Sequence, residues 1–155
     1  MRVHIGTDHA AFELKEYLVE HLRADGYEVV DHGAATYDAL DHYPVFIIPC
    51  AEAVVAEADQ GSLGIVLGGS GNGEQIAANK VKGCRAALAF NVELAQLGRE
   101  HNNANCVAMG GRFVTPEEGL EIARAFLKTP FSGNERHQTH IDMLTNYETT
   151  GSIEG

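Results

Sequence analysis

A chain of 155 residues has room for one domain with a sizeable core and little for a second. Its 45% hydrophobic and 21% charged residues make an ordinary globular mixture, and no apolar run approaches the ~18 residues that cross a bilayer. A formal net charge of −11, from 22 acidic against 11 basic side chains, argues against nucleic acid and anionic membranes as partners, and any anionic ligand must be held by a local cluster of donors.

Apolar runs alternate with amphipathic stretches along the whole chain, the pattern of a parallel α/β sheet. The opening Met1-Arg2-Val3-His4-Ile5 enters a strand at once without signal-peptide architecture, so the expected address is cytoplasmic. Residues 11–24 read as a helix with Phe12, Leu14, Leu18 and Leu22 roughly on one side, ended by Gly26. Residues 27–31 read as a second strand, followed by a polar loop through Asp41. Pro44 suits a first helical turn, opening a helix to about Ala58 that Pro49 should kink.

An apolar run at 63–67 has strand length and ends in Gly68-Gly69-Ser70-Gly71-Asn72-Gly73, after which residues 74–80 read as helix. Residues 85–90 and 106–109 predict the fourth and fifth strands, with a helix at 92–99 between them. Thr115-Pro116-Glu117-Glu118 is a capping box, and Ser132-Gly133-Asn134-Glu135 repeats it ahead of a terminal helix to about Glu148. The expectation is one α/β domain over 1–150 with a frayed tail at 151–155. Its three-layer, Rossmann-like or flavodoxin-like fold has a five-stranded parallel sheet in the order 2-1-3-4-5. Ligands of such sheets sit beyond the carboxyl ends of the strands, near the switch between strands one and three. Asp8-His9 and the glycine-rich turn lie at those two ends.

Four glycines in six residues let the backbone approach a ligand closely, and a following helix aims free N–H groups outward, which suits an anion or a developing oxyanion. The plainer reading is a tight turn that binds nothing. A Walker loop needs GxxxxGK[ST] and a dinucleotide fingerprint needs GxGxxG; residues 68–73 fit neither. Glu74 opens the helix, where it is either a surface acid complementing the dipole or a base ionised at neutral pH. Ser70 and the N–H groups of Gly71, Asn72 and Gly73 would then hold the charge created by proton abstraction next to a carbonyl.

Asp8-His9 and His101-Asn102 are further candidates, since histidine exchanges protons near neutral pH, although a histidine at a strand end or in a loop is often a satisfied structural group. Arg112, Arg136 and His140 supply late basic groups, with Arg136 and His140 four apart and hence on one helical face, or simply on a solvated one. His137 and His140 hint at a metal pair, but no third ligand is evident and no metal is expected. The three cysteines, Cys50, Cys84 and Cys106, are widely spaced without a CxxC pair and read as buried small residues or inert thiols.

Four segments together, Gly6-Thr7-Asp8-His9-Ala10, the stretch 64–80, Arg99-Glu100-His101-Asn102-Asn103-Ala104 and Arg136-His137-Gln138, resemble type B ribose-5-phosphate isomerases across nearly the whole chain. The likeness is to the actinobacterial branch, in which a Glu at the position of Glu74 is the base; in the other branch a Cys at the position of Gly68 serves. The resemblance implies cofactor-free and metal-free interconversion of ribose 5-phosphate and ribulose 5-phosphate in the pentose phosphate pathway. Carried over, Glu74 moves the proton between C2 and C1, and Ser70 stabilises the oxyanion together with the turn from Gly69 to Gly73. His101 opens the ring with Asp8 assisting, Asn102 binds hydroxyls, and His9, Arg112 and Arg136 grip the phosphate. The family forms homodimers or dimers of dimers with sites shared between subunits, the C-terminal helix reaching the partner. This chain departs at His140, where relatives often carry a second Arg, so another four- to six-carbon sugar phosphate stays open as substrate. A non-catalytic phosphate- or nucleotide-binding module is the alternative from another class.

Overall fold

The computed structural model describes residues 1–154. Five parallel strands, β1 (Arg2–Thr7), β2 (Glu28–Asp31), β3 (Leu63–Gly68), β4 (Ala86–Leu88) and β5 (Cys106–Gly110), form one sheet. Six helices surround it: α1 (Phe12–Ala24), α2 (Pro44–Ala56), α3 (Asn72–Asn79), α4 (Val92–Asn102), α5 (Pro116–Lys128) and α6 (Glu135–Thr150). Strand alternation divides the core into two layers. Val3 and Ile5, Leu63, Ile65 and Leu67, and Val107 and Met109 point into the layer covered by α1, α4 and α5. Val66, Cys106 and Ala108 point the other way, under α2 and α3. The second layer is thin: a side chain on Gly64 would meet Val54 Cγ2 at 2.8 Å and Cys106 Sγ at 2.7 Å. α2 runs through Pro49 without ending there.

The sheet order is β2-β1-β3-β5-β4, which corrects the expected 2-1-3-4-5 by exchanging the last two strands. β5 is buried at every position, whereas β4 has three residues, two of them partly exposed. The fully apolar strand takes the inside and the short one the edge, where few unpaired backbone groups are left open. Right-handed crossovers then fix the layers: α3 carries the chain outward on one face, and α4 brings it back inward on the other. The outcome leaves β1 and β3 adjacent, so the switch point stands as expected.

At α5 the capping box forms in both directions, with Thr115 N–H donating to Glu118 Oε1 at 2.9 Å and Glu118 N–H to Thr115 Oγ1 at 3.1 Å. The second expected box does not form. α6 begins at Glu135 with Asn134 as cap, its Oδ1 accepting from Arg136 N–H at 2.9 Å. Ser132 Oγ instead accepts from Asn134 N–H and pairs with His137 Nδ1. The helix closes at Gly151, which takes the left-handed conformation (φ 78°), and of the expected tail Gly155 lies outside the described residues. Among the described residues no helix is long and apolar enough to cross a membrane.

Lys15 is fully buried, its Nζ donating to Asp31 Oδ2 and to the Ala34 carbonyl, both at 2.7 Å, with Glu16 Oε1 at 2.9 Å. It ties α1 to the end of β2 and to the loop between β2 and α2. Thr7 N–H donates to Gly33 O and Ala34 N–H to Thr7 O, so the same loop is also fastened to β1. That loop delivers Tyr37, Asp41 and Tyr43 to the carboxyl edge of the sheet.

Candidate active site

The turn after β3 is shaped by what its glycines must avoid. Gly71 has φ 87°, and a Cβ there would meet Leu88 Cδ1 at 2.9 Å and the Met109 carbonyl carbon at 3.0 Å, so both conformation and space require glycine. Gly110 at the end of β5 sits directly beneath Ser70, with a hypothetical Cβ 2.5 Å from Ser70 O. Gly111 N–H donates to Gly68 O and Arg112 N–H to Gly69 O, zipping the β5 exit to the turn. The Arg112 guanidinium lies over Gly69, and the Tyr43 ring lies over Gly73.

Glu74, in the first turn of α3, is only 5% exposed. Its carboxyl group lies on Gly68, in the space a side chain at 68 would fill. Burial, with the nearby Asp8 charge, raises its pKa above the usual 4.5, against the pull of its own backbone N–H. A carboxyl poised this way, held against the strand end that opens the glycine-rich turn and shielded from water, can take a proton from carbon and return it. Asp8 is buried at the end of β1, its Oδ1 capping the following short helix through Ala10 N–H at 3.0 Å. His9 Nδ1 pairs with Asp41 Oδ1 at 2.7 Å, and Asp41 raises the imidazole pKa. His9 and Tyr37 line a cavity of about 450 Å³ between the starts of α1 and α5 that reaches Gly111.

Asp8, His9 and Asp41 each offer a ligand atom within 4.8 Å of the others. The imidazole nitrogen that would face a cation is already engaged by Asp41, so the trio reads as an ion pair with a neighbouring acid.

Thus Asp8, His9, Gly69, Ser70, Gly71, Asn72, Gly73, Glu74 and Arg112 gather at the carboxyl edge. The remaining expected residues do not join them within one chain. Because helices run antiparallel to strands here, the end of α4 with His101 and Asn102 lies at the amino edge of the sheet. His101 is exposed and its ring meets that of His137 of α6 at a tilt of 36°, centroids 4.4 Å apart. Arg136 and His140 share that first part of α6, and both are exposed. His140 borders an apolar hollow with Met143, Leu144, Tyr147 and Ile153. Sequence reading missed Asp41 and Tyr43, which sit in a polar loop without periodicity; the one signal was proximity to Pro44, where the loop must end.

A buried carboxylate beside a glycine-rich turn, at the switch point of a parallel sheet, fits an enzyme of the isomerase class. The chain belongs to the ribose/galactose isomerase family, whose model matches residues 3–144. It is 57% identical over 150 residues to ribose-5-phosphate isomerase B of Mycobacterium tuberculosis H37Rv, covering 97% of this chain and 91% of that one. The probable ribose-5-phosphate isomerase B of Mycoplasma genitalium is 42% identical over 146 residues, 94% of this chain and 95% of the relative. A crystal structure of that isomerase with bound ribulose 5-phosphate superposes with TM-score 0.92 at 42% identity, covering 96% of this chain and 97% of the other. The Clostridium thermocellum ribose-5-phosphate isomerase B gives TM-score 0.90 at 40% identity over 98% and 100%.

Proposed function

We propose that this chain interconverts ribose 5-phosphate and ribulose 5-phosphate through an enediolate, with Glu74 as the base. The observation that carries the reading is the Glu74 carboxyl, buried on Gly68 where the glycine-rich turn begins. In the open-chain aldose Glu74 takes the proton from C2; the negative charge passes to the substrate oxygen, where Ser70 and the N–H groups of residues 71–73 receive it. A proton then moves from the C2 hydroxyl to the anionic O1, and the same carboxyl returns its proton to C1, leaving C2 as the carbonyl of the ketose. His9, Arg112 and Arg136 hold the phosphate, Asn102 binds hydroxyls, and His101 with Asp8 opens the furanose. The Mycoplasma genitalium structure named for bound ribulose 5-phosphate supports this substrate.

The working unit is a homodimer, or a dimer of dimers, in which the amino-edge cluster of one copy completes the carboxyl-edge cluster of another. The separation of the two clusters within one chain supports this, as does the exposed apolar side of α6 with Met143, Leu144 and Tyr147. It also explains how a chain of net charge −11 assembles a basic pocket. Three free, buried cysteines suit a reducing compartment such as the cytoplasm.

His140 favours a second reading of the substrate, since an imidazole replaces the bidentate guanidinium frequent in relatives, and another four- to six-carbon sugar phosphate then competes. A purely phosphate-sensing module fits less well, because a buried carboxylate beside an anion cradle repels the ligand it would sense. The deciding experiment follows deuterium exchange from D₂O into four-, five- and six-carbon sugar phosphates. Incorporation at the C1/C2 pair, fastest with ribose 5-phosphate, is expected; no exchange with any of them sinks the enzymatic reading.

A further inference from the structure

Asp41 stands apart from every residue assigned so far. Its side chain is about nine-tenths buried. Oδ1 accepts two hydrogen bonds from one residue, from His9 Nδ1 at 2.7 Å and from His9 N–H at 3.1 Å. Oδ2 is buried with no hydrogen-bond partner. A carboxylate so placed needs a compensating positive charge, and among the described residues His9 is its one cationic partner within 4 Å. The loop bearing Asp41 is itself held, through Lys15 to Ala34 and through Asp38 O, which accepts Asp41 N–H at 3.1 Å.

We propose that Asp41 is a positioning residue for the substrate phosphate: it fixes the His9 ring and supplies the counter-charge that keeps both imidazole nitrogens as donors. The phosphate in this statement rests on the isomerase reading above. With Nδ1–H committed to Asp41, Nε2–H is the nitrogen left for a ligand, and His9 borders the cavity between the starts of α1 and α5. Other groups act in the same direction or lie to the side. Asp8 Oδ2 stands 3.8 Å from His9 Nδ1 and Asp38 lies near enough to raise its pKa further. Tyr37 meets the ring edge-on at 6.1 Å. Glu13 lines the same cavity, and Arg112 lies across Gly69.

The pH consequence has a definite sign. An imidazole whose pKa is raised stays cationic to higher pH, so its grip on a phosphate dianion persists above neutrality and is lost as pH rises through the raised value. Without Asp41 the loss should begin near the ordinary imidazole value of about 6.5.

The experiment compares Asp41→Asn with the native chain and with Asp41→Glu. His9 is titrated by NMR, and KM for ribose 5-phosphate is measured from pH 6 to pH 8. In Asp41→Asn the His9 midpoint falls, KM rises roughly tenfold more at pH 8 than at pH 6, and kcat is nearly unchanged; Asp41→Glu restores part of both. A His9 midpoint equal in native and Asn chains, or a KM penalty equal at both pH values, overturns the proposal. If the native chain isomerises no sugar phosphate, the reaction assigned above fails, and the His9 titration with added inorganic phosphate still decides the role of Asp41.

Discussion

The carboxyl group of Glu74 and the bare Cα of Gly68 share one space: a methyl group on residue 68 would overlap both carboxyl oxygens. The relationship links the last residue of β3 to the first turn of α3, so the proposed base is placed by an absence on the strand as much as by the helix that bears it.

Gly68→Ala should therefore displace the Glu74 carboxyl while leaving the sheet intact, because Gly68 is not among the glycines at positive φ. Misplacing a catalytic group by about 1 Å can cost around 10²-fold, and a loss of kcat of that order is expected at unchanged secondary structure. Initial rates with ribose 5-phosphate and circular dichroism on the same sample test it; a variant with native kcat would mean the carboxyl position has no bearing on the reaction.

Glu74→Gln separates the chemical role from the structural cost. Removal of a general base should lower kcat by about 10²–10⁴-fold with substrate binding retained. The native carboxyl has its pKa raised, chiefly by burial, so in the native chain activity is present above the raised value and falls as pH drops through it. Folding responds with the opposite sign: the folded state favours the protonated acid, so the ionised form costs stability as pH rises through this range. The Gln variant should accordingly melt higher than the native chain at pH 7, with the difference closing below pH 4. A lower melting temperature at pH 7 would show that the ionised carboxylate stabilises the fold.

Much of this was legible in the sequence, and the failures have particular causes. The runs at 63–67 and 106–109 announced two central strands because strands buried on both faces leave no polar alternation. The exchange of β4 and β5 was not legible, since both orders use the same elements and only relative burial decides which strand is inside. Lys15 carried no signal, because nothing local announces that its ammonium is enclosed by Asp31 and the Ala34 carbonyl. Glu74, Ser70 and His9 stood out through the glycines and the strand ends around them. Asp41 did not, because its meaning depends on His9, which the loop brings close from 32 residues away.

A half-buried polar cluster lies away from the active site. Glu57 accepts from Arg2 Nη1 at 2.6 Å and Ser62 Oγ at 2.8 Å, and pairs with His4 Nε2 at 2.9 Å, while His4 Nδ1 shares a hydrogen bond with His32 Nε2 at 2.8 Å. These contacts, His4 first, lower the Glu57 pKa to about 2. Because the folded value lies below the unfolded one, the contribution is present above about pH 4.5 and lost as pH falls toward 2. Glu57→Gln should lower stability at pH 7 and flatten the dependence of unfolding free energy on pH between 4.5 and 2. Urea titrations across that window test it, and an unchanged slope would remove Glu57 from the acid response.

The proposed sharing of sites between copies yields the most discriminating prediction. Glu74 belongs to the carboxyl-edge cluster and His101 to the amino-edge cluster, so in a symmetric dimer each site takes one from each copy. Glu74→Gln and His101→Ala should each be strongly impaired alone on cyclic ribose 5-phosphate. Mixed in equal amounts and allowed to exchange subunits, half of the dimers are hybrids. Each hybrid has one site with both defects and one with neither, so about a quarter of the native activity should return. The recovery should follow the rate of subunit exchange and vanish when the two variants are mixed after cross-linking. If activity stayed at the sum of the separate variants despite demonstrated exchange, Glu74 and His101 would have to serve one chain together. The amino-edge position of His101 could then be reconciled with catalysis only by a large movement of α4.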